Sequence, residues 1–289
     1  MLAMNRVRLN VKDLSGPPQT MLATLYGKAL DADAPQPILG DQYAKDAVAR
    51  IDYDWETTSI NARRAPSVAI RSLHFDNWAR QFLAVHNAAE NSAVVLHIGC
   101  GLDARVYRLN PAQGVRWYDI DYPDVIALRE QVYPGRANYQ MLRASVTDPS
   151  WLAEIPADGP TLLIGEGLTP YLTRDGGLAL LRRVVDRFPS GELQFDAYSR
   201  FGIRTQAINP VVRRSGSTLR WAINGPGDIV AAVPGVRLLV CESVFESDTF
   251  GLLSPVNRWM GRAMAAVPPL RTLAQYHRYA FGAPETGKC

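Results

Sequence analysis

Three cysteines, Cys100, Cys241 and Cys289, are all that 289 residues contain, and no CxxC pair occurs. A disulfide framework and a zinc knuckle are therefore not expected, and no metal is called for. Charge of one sign is scarce too: the formal net charge is +3, with no long Lys/Arg run. That balance gives no electrostatic footprint for nucleic acid, and the scattered arginines read as solvated surface. Long hydrophobic runs are missing. The stretch 229–241 is broken by Pro234, Gly235 and Arg237, and is too short to span a bilayer. Residues 1–8 lack a secretory apolar core, so a cytoplasmic protein with no membrane partner is expected. What remains is 47% apolar and 20% charged, the composition of a globular chain able to bury a large core without staples.

The most informative stretch runs from Ala93 to Asp121. An apolar strand, 93–98, meets the turn Gly99-Cys100-Gly101. A helix is expected from about Leu102, then a second short strand at 115–118 that ends on Asp119-Ile120-Asp121. Strand, glycine turn, helix, strand and acid make the first unit of a nucleotide-binding α/β sheet. Glycine supplies the backbone freedom and leaves no side chain where a ligand approaches. The helix start is expected to aim unpaired N–H groups at that ligand. Asp121 lies 22 residues after Gly99, where a carboxylate can accept both ribose hydroxyls. Side-chain alternation is taken to turn Asp119 the other way, so Asp121 is preferred. A dinucleotide fingerprint asks for a third glycine where Ala104 stands. Its absence counts against a nicotinamide cofactor and suits one without a pyrophosphate, such as S-adenosylmethionine.

Hydrophobic periodicity organises the rest. Residues 1–18 read as a loose arm. A helix is expected over 19–30, a break at 34–37, and a second helix with Leu39, Tyr43, Ala47 and Ile51 on one stripe. A third spans about Ser67 to Val85, with Phe75, Trp78, Phe82 and Val85 as its stripe. Arg71 falls on that stripe. It either snorkels past the core edge or offers its guanidinium to a carboxylate in two parallel bonds. His74 reads as incidental and His97 as a core histidine. No strand is expected before Ala93, so residues 1–90 form a helical cap and 91–289 an α/β core. Further strands are expected at 138–142, 161–164, 192–198, 236–245 and 272–281. Helices are expected after Pro123, after Thr147-Asp148-Pro149-Ser150, around Leu178 to Phe188, and at 255–267. The polar segment 199–227 reads as an inserted lid, and a short helix starts at 226–230. Gly99, Gly101, Asp121, Ser145 and Glu166 all fall at carboxyl ends of strands, where ligands bind in open parallel sheets. Glu166 faces that cleft as a ligand group or as a structural carboxylate.

Several motifs in order carry a family resemblance. Residues 96–105 (Leu-His-Ile-Gly-Cys-Gly-Leu-Asp-Ala-Arg) resemble the first motif of the leucine carboxyl methyltransferase family. Within it they are most similar to the bacterial, polyketide-type, tetracenomycin-like O-methyltransferases. Residues 118–123 resemble the second motif, 145–148 and 166–172 the third and fourth, and 25–30 an N-terminal one. The similarity covers about residues 14–200. It implies a Rossmann-like class I methyltransferase with a mostly parallel seven-stranded sheet, an antiparallel last strand, a helical cap and a lid. It implies S-adenosylmethionine as cofactor, and Arg71 in contact with the carboxylate of cofactor or substrate. Glu166 is implied near the methionine part, and Lys28 aligns with a family cation. Ser145 stands where relatives use an aspartate to read adenine, so Asp148 or backbone is the alternative reader. Tyr171 either positions the acceptor or belongs to the core. The expected activity is O-methylation of a small-molecule carboxylate or hydroxyl. A nicotinamide oxidoreductase, a non-catalytic relative and methylation of a protein carboxyl terminus are the competing readings. The sequence contains no sign of oligomeric state.

Overall fold

The computed structural model describes residues 7–8, 14, 18–86, 93–205 and 218–282. Most of the expected loose arm lies outside these residues. Three helices precede the sheet: α1 (Pro18–Ala32), α2 (Gln42–Arg50) and α3 (Ala65–His86). Proline suits the first turn of α1. The break after α1 is tied back by Asp31, whose carboxylate accepts the N–H groups of Ile38, Leu39 and Gly40. α2 begins later than its stripe suggested because Asp41 caps it, accepting Ala44 N–H at 3.0 Å. Ala44 and Ala47 are buried there, whereas Tyr43 is 40% exposed. Ile51 has left the helix. It opens β2 (Ile51–Asp52), which pairs in parallel with β1 (Val7–Arg8). This corrects the expectation of no strand before Ala93, although the ladder is only two residues long.

α3 buries Phe75, Trp78 and Phe82 as its spacing requires. Val85 is 70% exposed instead. Periodicity continues through the last turn of the helix, but no described residue covers Val85 there.

Seven strands form the main sheet: β3 (Val94–Ile98), β4 (Arg116–Asp121), β5 (Tyr139–Arg143), β6 (Thr161–Gly165), β7 (Ser190–Tyr198), β8 (Val236–Ser243) and β9 (Ala274–Gly282). Their order is β5-β4-β3-β6-β7-β9-β8, and β9 runs antiparallel to both neighbours. The chain winds outward from β3 to β5, then returns to place β6 beside β3. That reversal is the topological switch point, where open α/β sheets bind ligands.

Helices cover both faces. On one lie α1, α2, α3, a five-residue α4 (Arg105–Leu109) and α5 (Pro123–Val132). On the other lie α6 (Ser150–Ala153) and α7 (Arg174–Arg187). Alternation along β3 feeds the two layers: Val94, Leu96 and Ile98 join Leu181 and Val184, while Val95 joins Phe75 and Phe82. β3 and β6 are buried at every position, as continuous apolar strands must be.

Of the expected lid, α8 (Arg200–Arg204) is described and 206–217 is not. Of the returning stretch, Trp221 and Ile223 are buried in the core, and Leu219 is buried where it lines a cavity. Ile223 N–H donates to Tyr198 O at 2.9 Å and Arg220 N–H to Pro170 O at 2.7 Å. Helices α9 (Gly227–Val230), α10 (Pro255–Ala265) and α11 (Pro268–Arg271) complete the chain. Among the described residues no helix is long and apolar enough to cross a membrane.

Candidate active site

The turn after β3 is built around left-handed backbone. Gly99 has φ +59° and Gly101 φ +50°, values that cost an L side chain strain. Space is closed as well: a Cβ on Gly99 would lie 2.8 Å from Leu168 Cδ1, and one on Gly101 3.0 Å from Met21 Cγ. The expected helix at Leu102 does not form. α4 starts at Arg105, because residues 102–104 continue the turn, with Asp103 N–H donating to Cys100 O at 3.0 Å. Gly101 N–H is therefore not left free for a ligand. It donates to Asp121 Oδ2 at 2.7 Å, while Tyr122 N–H donates to Oδ1 at 2.8 Å. These bonds fix the carboxylate at the end of β4, and each oxygen keeps a lone pair for a hydroxyl. Burial pushes the Asp121 carboxyl above its usual range, against the pull of those two N–H groups.

Asp119 needs a correction of reason. Two residues apart on a strand, Asp119 and Asp121 share a face; depth separates them. Asp119 is fully buried and accepts from His97 Nδ1 at 2.9 Å, Trp117 Nε1 at 2.8 Å, Tyr139 Oη at 2.6 Å and Arg129. Burial opposes its charge, but Arg129 and His97 hold the carboxyl at about 2. Arg129 also donates to Gly101 O at 3.0 Å, so this buried cluster braces the glycine turn from below. His97 is a core histidine, as expected, and bonded at both ring nitrogens: Nε2 meets Arg105 Nη1 at 3.2 Å.

Above the turn lies a network of charges. Glu166 directly follows β6 and accepts from Arg71 Nε and Ser72 Oγ, each at 2.9 Å, and from Arg105. Burial disfavours its ionisation, yet Arg105, Lys28 and Arg71 outweigh that and hold it below the usual carboxylate range. Lys28 is only 3% exposed, which excludes the solvated lysine. It pairs with Asp103 Oδ2 at 3.0 Å. Arg105 and Arg108, one helical turn apart, both reach Asp76 of α3, by Nε at 2.7 and 2.9 Å. Removing one member of such a buried pair costs about 3–5 kcal/mol, because the other charge is stranded.

A cavity of about 520 Å³ opens over these groups at the carboxyl ends of the parallel strands. All eight residues expected in the site line it: Lys28, Arg71, Gly99, Gly101, Asp121, Ser145, Glu166 and Tyr171. Asp148 does not. Its carboxylate accepts Ser150 N–H at 2.9 Å at the start of α6. Arg71 is neither a snorkelling side chain nor a free one: a quarter exposed, it bonds Glu166. Burial of Tyr171 pushes its phenol up, so it stands there as a neutral hydroxyl.

Sequence reasoning missed Asp196, Tyr198 and Tyr276, which line the far wall. Asp196 accepts Gly167 N–H at 2.7 Å through Oδ1, and its Oδ2 lies 3.6 Å from Arg71 Nη1. Burial pushes its carboxyl up despite Arg71. The signal was a carboxylate near the carboxyl end of a core strand. Asp103 and Arg105 were also overlooked, though they sit inside the first motif.

The donor set fits S-adenosylmethionine: a side-chain-free turn, a ribose-height carboxylate, and buried charges beyond it for an amino-acid end. Comparison with known proteins agrees. The leucine carboxyl methyltransferase family model matches residues 21–185, more than half of the chain. The tetracenomycin polyketide synthesis O-methyltransferase TcmP of Streptomyces glaucescens is 40% identical over 93% of this chain and 98% of its own. The S-adenosyl-L-methionine-dependent methyltransferase dpfgK of Gibberella zeae is 34% identical over 78% of this chain and 81% of its own. Among solved structures, a candidate methyltransferase from Thermobifida fusca shares the fold, with a TM-score of 0.56 at 15% identity over 89% of this chain and 94% of that one. A DUF574-family protein of Streptomyces avermitilis has a TM-score of 0.54 at 12% identity over 89% and 97%. With the glycine turn, the acid of the second strand and the charge network all in place, this chain belongs to the leucine carboxyl methyltransferase family.

Proposed function

We propose that the protein transfers a methyl group from S-adenosylmethionine to an oxygen of a small-molecule acceptor, a carboxylate first of all. The observation that carries this reading is one continuous cavity. It runs from Asp121 and Ser145, past Glu166 and Arg71, to Tyr171, Asp196 and Tyr276, so room for a second molecule adjoins the cofactor cradle. The relative named for tetracenomycin polyketide synthesis supports a polyketide-like acceptor. A net charge of only +3 supports a small molecule over nucleic acid.

When bound, S-adenosylmethionine supplies an electrophilic methyl group on its sulfonium. The chain's own residues bind and align. Gly99 and Gly101 leave the approach open, Asp121 accepts from ribose hydroxyls, and Ser145 lines the adenine end. Glu166 takes the amino group and Arg71 a carboxylate. Tyr171 positions the acceptor. A carboxylate is already ionised at neutral pH, so no proton has to move. The enzyme contributes alignment and the exclusion of water. A hydroxyl acceptor is the second reading, favoured by Asp196: its buried carboxyl is placed to take the proton such an acceptor must lose.

Calorimetric titration of the protein with S-adenosylmethionine, S-adenosylhomocysteine and NAD tests the reading. Micromolar binding of the first two without NAD is expected, followed by transfer of labelled methyl to aromatic carboxylic acids. Binding of NAD alone overturns it. Cofactor binding without transfer to any carboxylic acid or phenol favours the non-catalytic relative.

A further inference from the structure

Helix α10 (Pro255–Ala265) touches the rest of the protein through a narrow contact. Gly261 is its one buried residue. It backs onto Phe250, so closely that a Cβ there would lie 2.2 Å from Phe250 Cε1. The far side of the helix carries Val256, Trp259, Met260 and Ala263, at the i, i+3, i+4 and i+7 spacing of an apolar stripe. A stripe of that kind ordinarily faces a core. Here it faces outward: Val256 is 67% and Trp259 70% exposed, and Met260 is exposed beside them. Leu252 before the helix and Val267 after it are exposed as well. Single apolar side chains on a surface need no explanation, but a row of them along one helix does.

Charge says what covers it. From Thr249 to Pro284 the chain has no acidic residue. Of the four arginines in that stretch, Arg271 is answered by Glu246 at 2.7 Å and Arg278 by Glu192 at 2.8 Å. Arg258 and Arg262, one helical turn apart on α10, are exposed and make no ion pair among the described residues. Helical geometry sets Arg262 beside Trp259, with Arg258 next along that border. The face is therefore apolar along its ridge and purely cationic at its edge. A second copy docked through the same patch would set arginine against arginine. A protein groove would have to wrap a helix that Gly261 holds against the body. A flat anionic surface meets neither obstacle.

We propose that α10 lies on an anionic lipid surface, with Val256, Met260 and Val267 in the acyl boundary, Trp259 at headgroup level, and Arg258 and Arg262 on lipid phosphates. No described helix can cross a membrane, and lying on one asks only for an amphipathic face. The placement links to the cavity. α10 packs on the turn Val244–Glu246, and Val244 lines the cavity, so docking sets a cavity wall next to the lipid that dissolves an apolar acceptor. That link rests on the methyltransferase reading; the docking itself does not.

The test sediments the full chain, without cofactor, with vesicles of phosphatidylcholine alone and of phosphatidylcholine mixed with phosphatidylglycerol. Wild type is compared with Trp259→Ala and with the double variant Arg258→Gln, Arg262→Gln. These side chains are exposed, and an unchanged denaturant midpoint checks that each variant folds. The expected result is binding of wild type to the mixed vesicles, weakened by salt. Affinity for them should fall about tenfold in Trp259→Ala and roughly fivefold for each arginine removed. Wild type that sediments with neither vesicle overturns the proposal. So does binding that both variants keep in full. A wild-type dimer that Trp259→Ala converts to monomer, with no vesicle binding, assigns the face to a second copy and overturns it too. None of these outcomes touches the methyltransferase reading, which the cofactor titration tests separately.

Discussion

Two carboxylates of the site illustrate how burial and partners decide what a residue is for. Asp121 accepts only two backbone N–H groups, and burial pushes its carboxyl up. It is poised for a ligand, because its oxygens keep lone pairs that no other donor takes. Asp121→Ala is expected to leave stability within about 1 kcal/mol of wild type and to weaken cofactor binding about 10- to 100-fold by calorimetry. Glu166 is the opposite case. It holds Arg71, Ser72 and the fully buried Arg105. Glu166→Ala removes one of three carboxylates around Arg105, which keeps Asp76 and Asp103, and a loss of roughly 1–3 kcal/mol in denaturant unfolding is expected. Both acids were legible in sequence as strand-end carboxylates. Their different burdens were not, because Arg105 lies 61 positions from Glu166 and no local pattern joins them.

At the scale of elements, α7 and the returning segment 218–224 lock together. Gly177 of α7 lies under Trp221, and a Cβ there would sit 2.0 Å from Trp221 Cζ3. The indole is rigid and 4% exposed, so it cannot swing aside. Gly177→Ala is expected to destabilise the protein by about 1–3 kcal/mol through overpacking, read as a lowered denaturant midpoint. Periodicity located α7 well, since its stripe is apolar and one face is buried. It failed at α4. The glycine turn consumed three residues that propensity alone assigns to helix, and hydrogen bonds to Cys100 and Asp121 won over helix formation.

For the whole molecule, acid stability follows from what the interior does to its titrating groups. Burial lowers His74 and His277 to about 4 from 6.5. The unfolded chain therefore takes up their protons first, and stability is lost as pH falls from 6.5 towards 4. Each contributes up to about 3 kcal/mol of that loss. Asp119, held at about 2 against an ordinary 3.8, contributes stability that is present above pH 3.8 and disappears towards pH 2. Melting temperature should fall in two stages on acidification, and His74→Phe should flatten the first. Cofactor binding acts in the other direction. S-adenosylhomocysteine at a hundred times its Kd should add about 2.7 kcal/mol, and NAD should add nothing.

The sequence by itself determined the alternation of helix and strand, the glycine turn and the acid that faces it. Each is local: a period of two or 3.6 residues, or a conformation only glycine adopts cheaply. It also determined that β3 and β6 lie deep, since continuous apolar strands have no face to show to water. Only the tertiary structure decided which charges meet. Strand order sets Asp196 beside Arg71, antiparallel register sets Tyr276 opposite Asp196, and the return of 218–224 closes the core over α7. These are contacts between segments distant along the chain. They arise because a buried charge must find its partner wherever packing allows, and no spacing along the sequence records that choice.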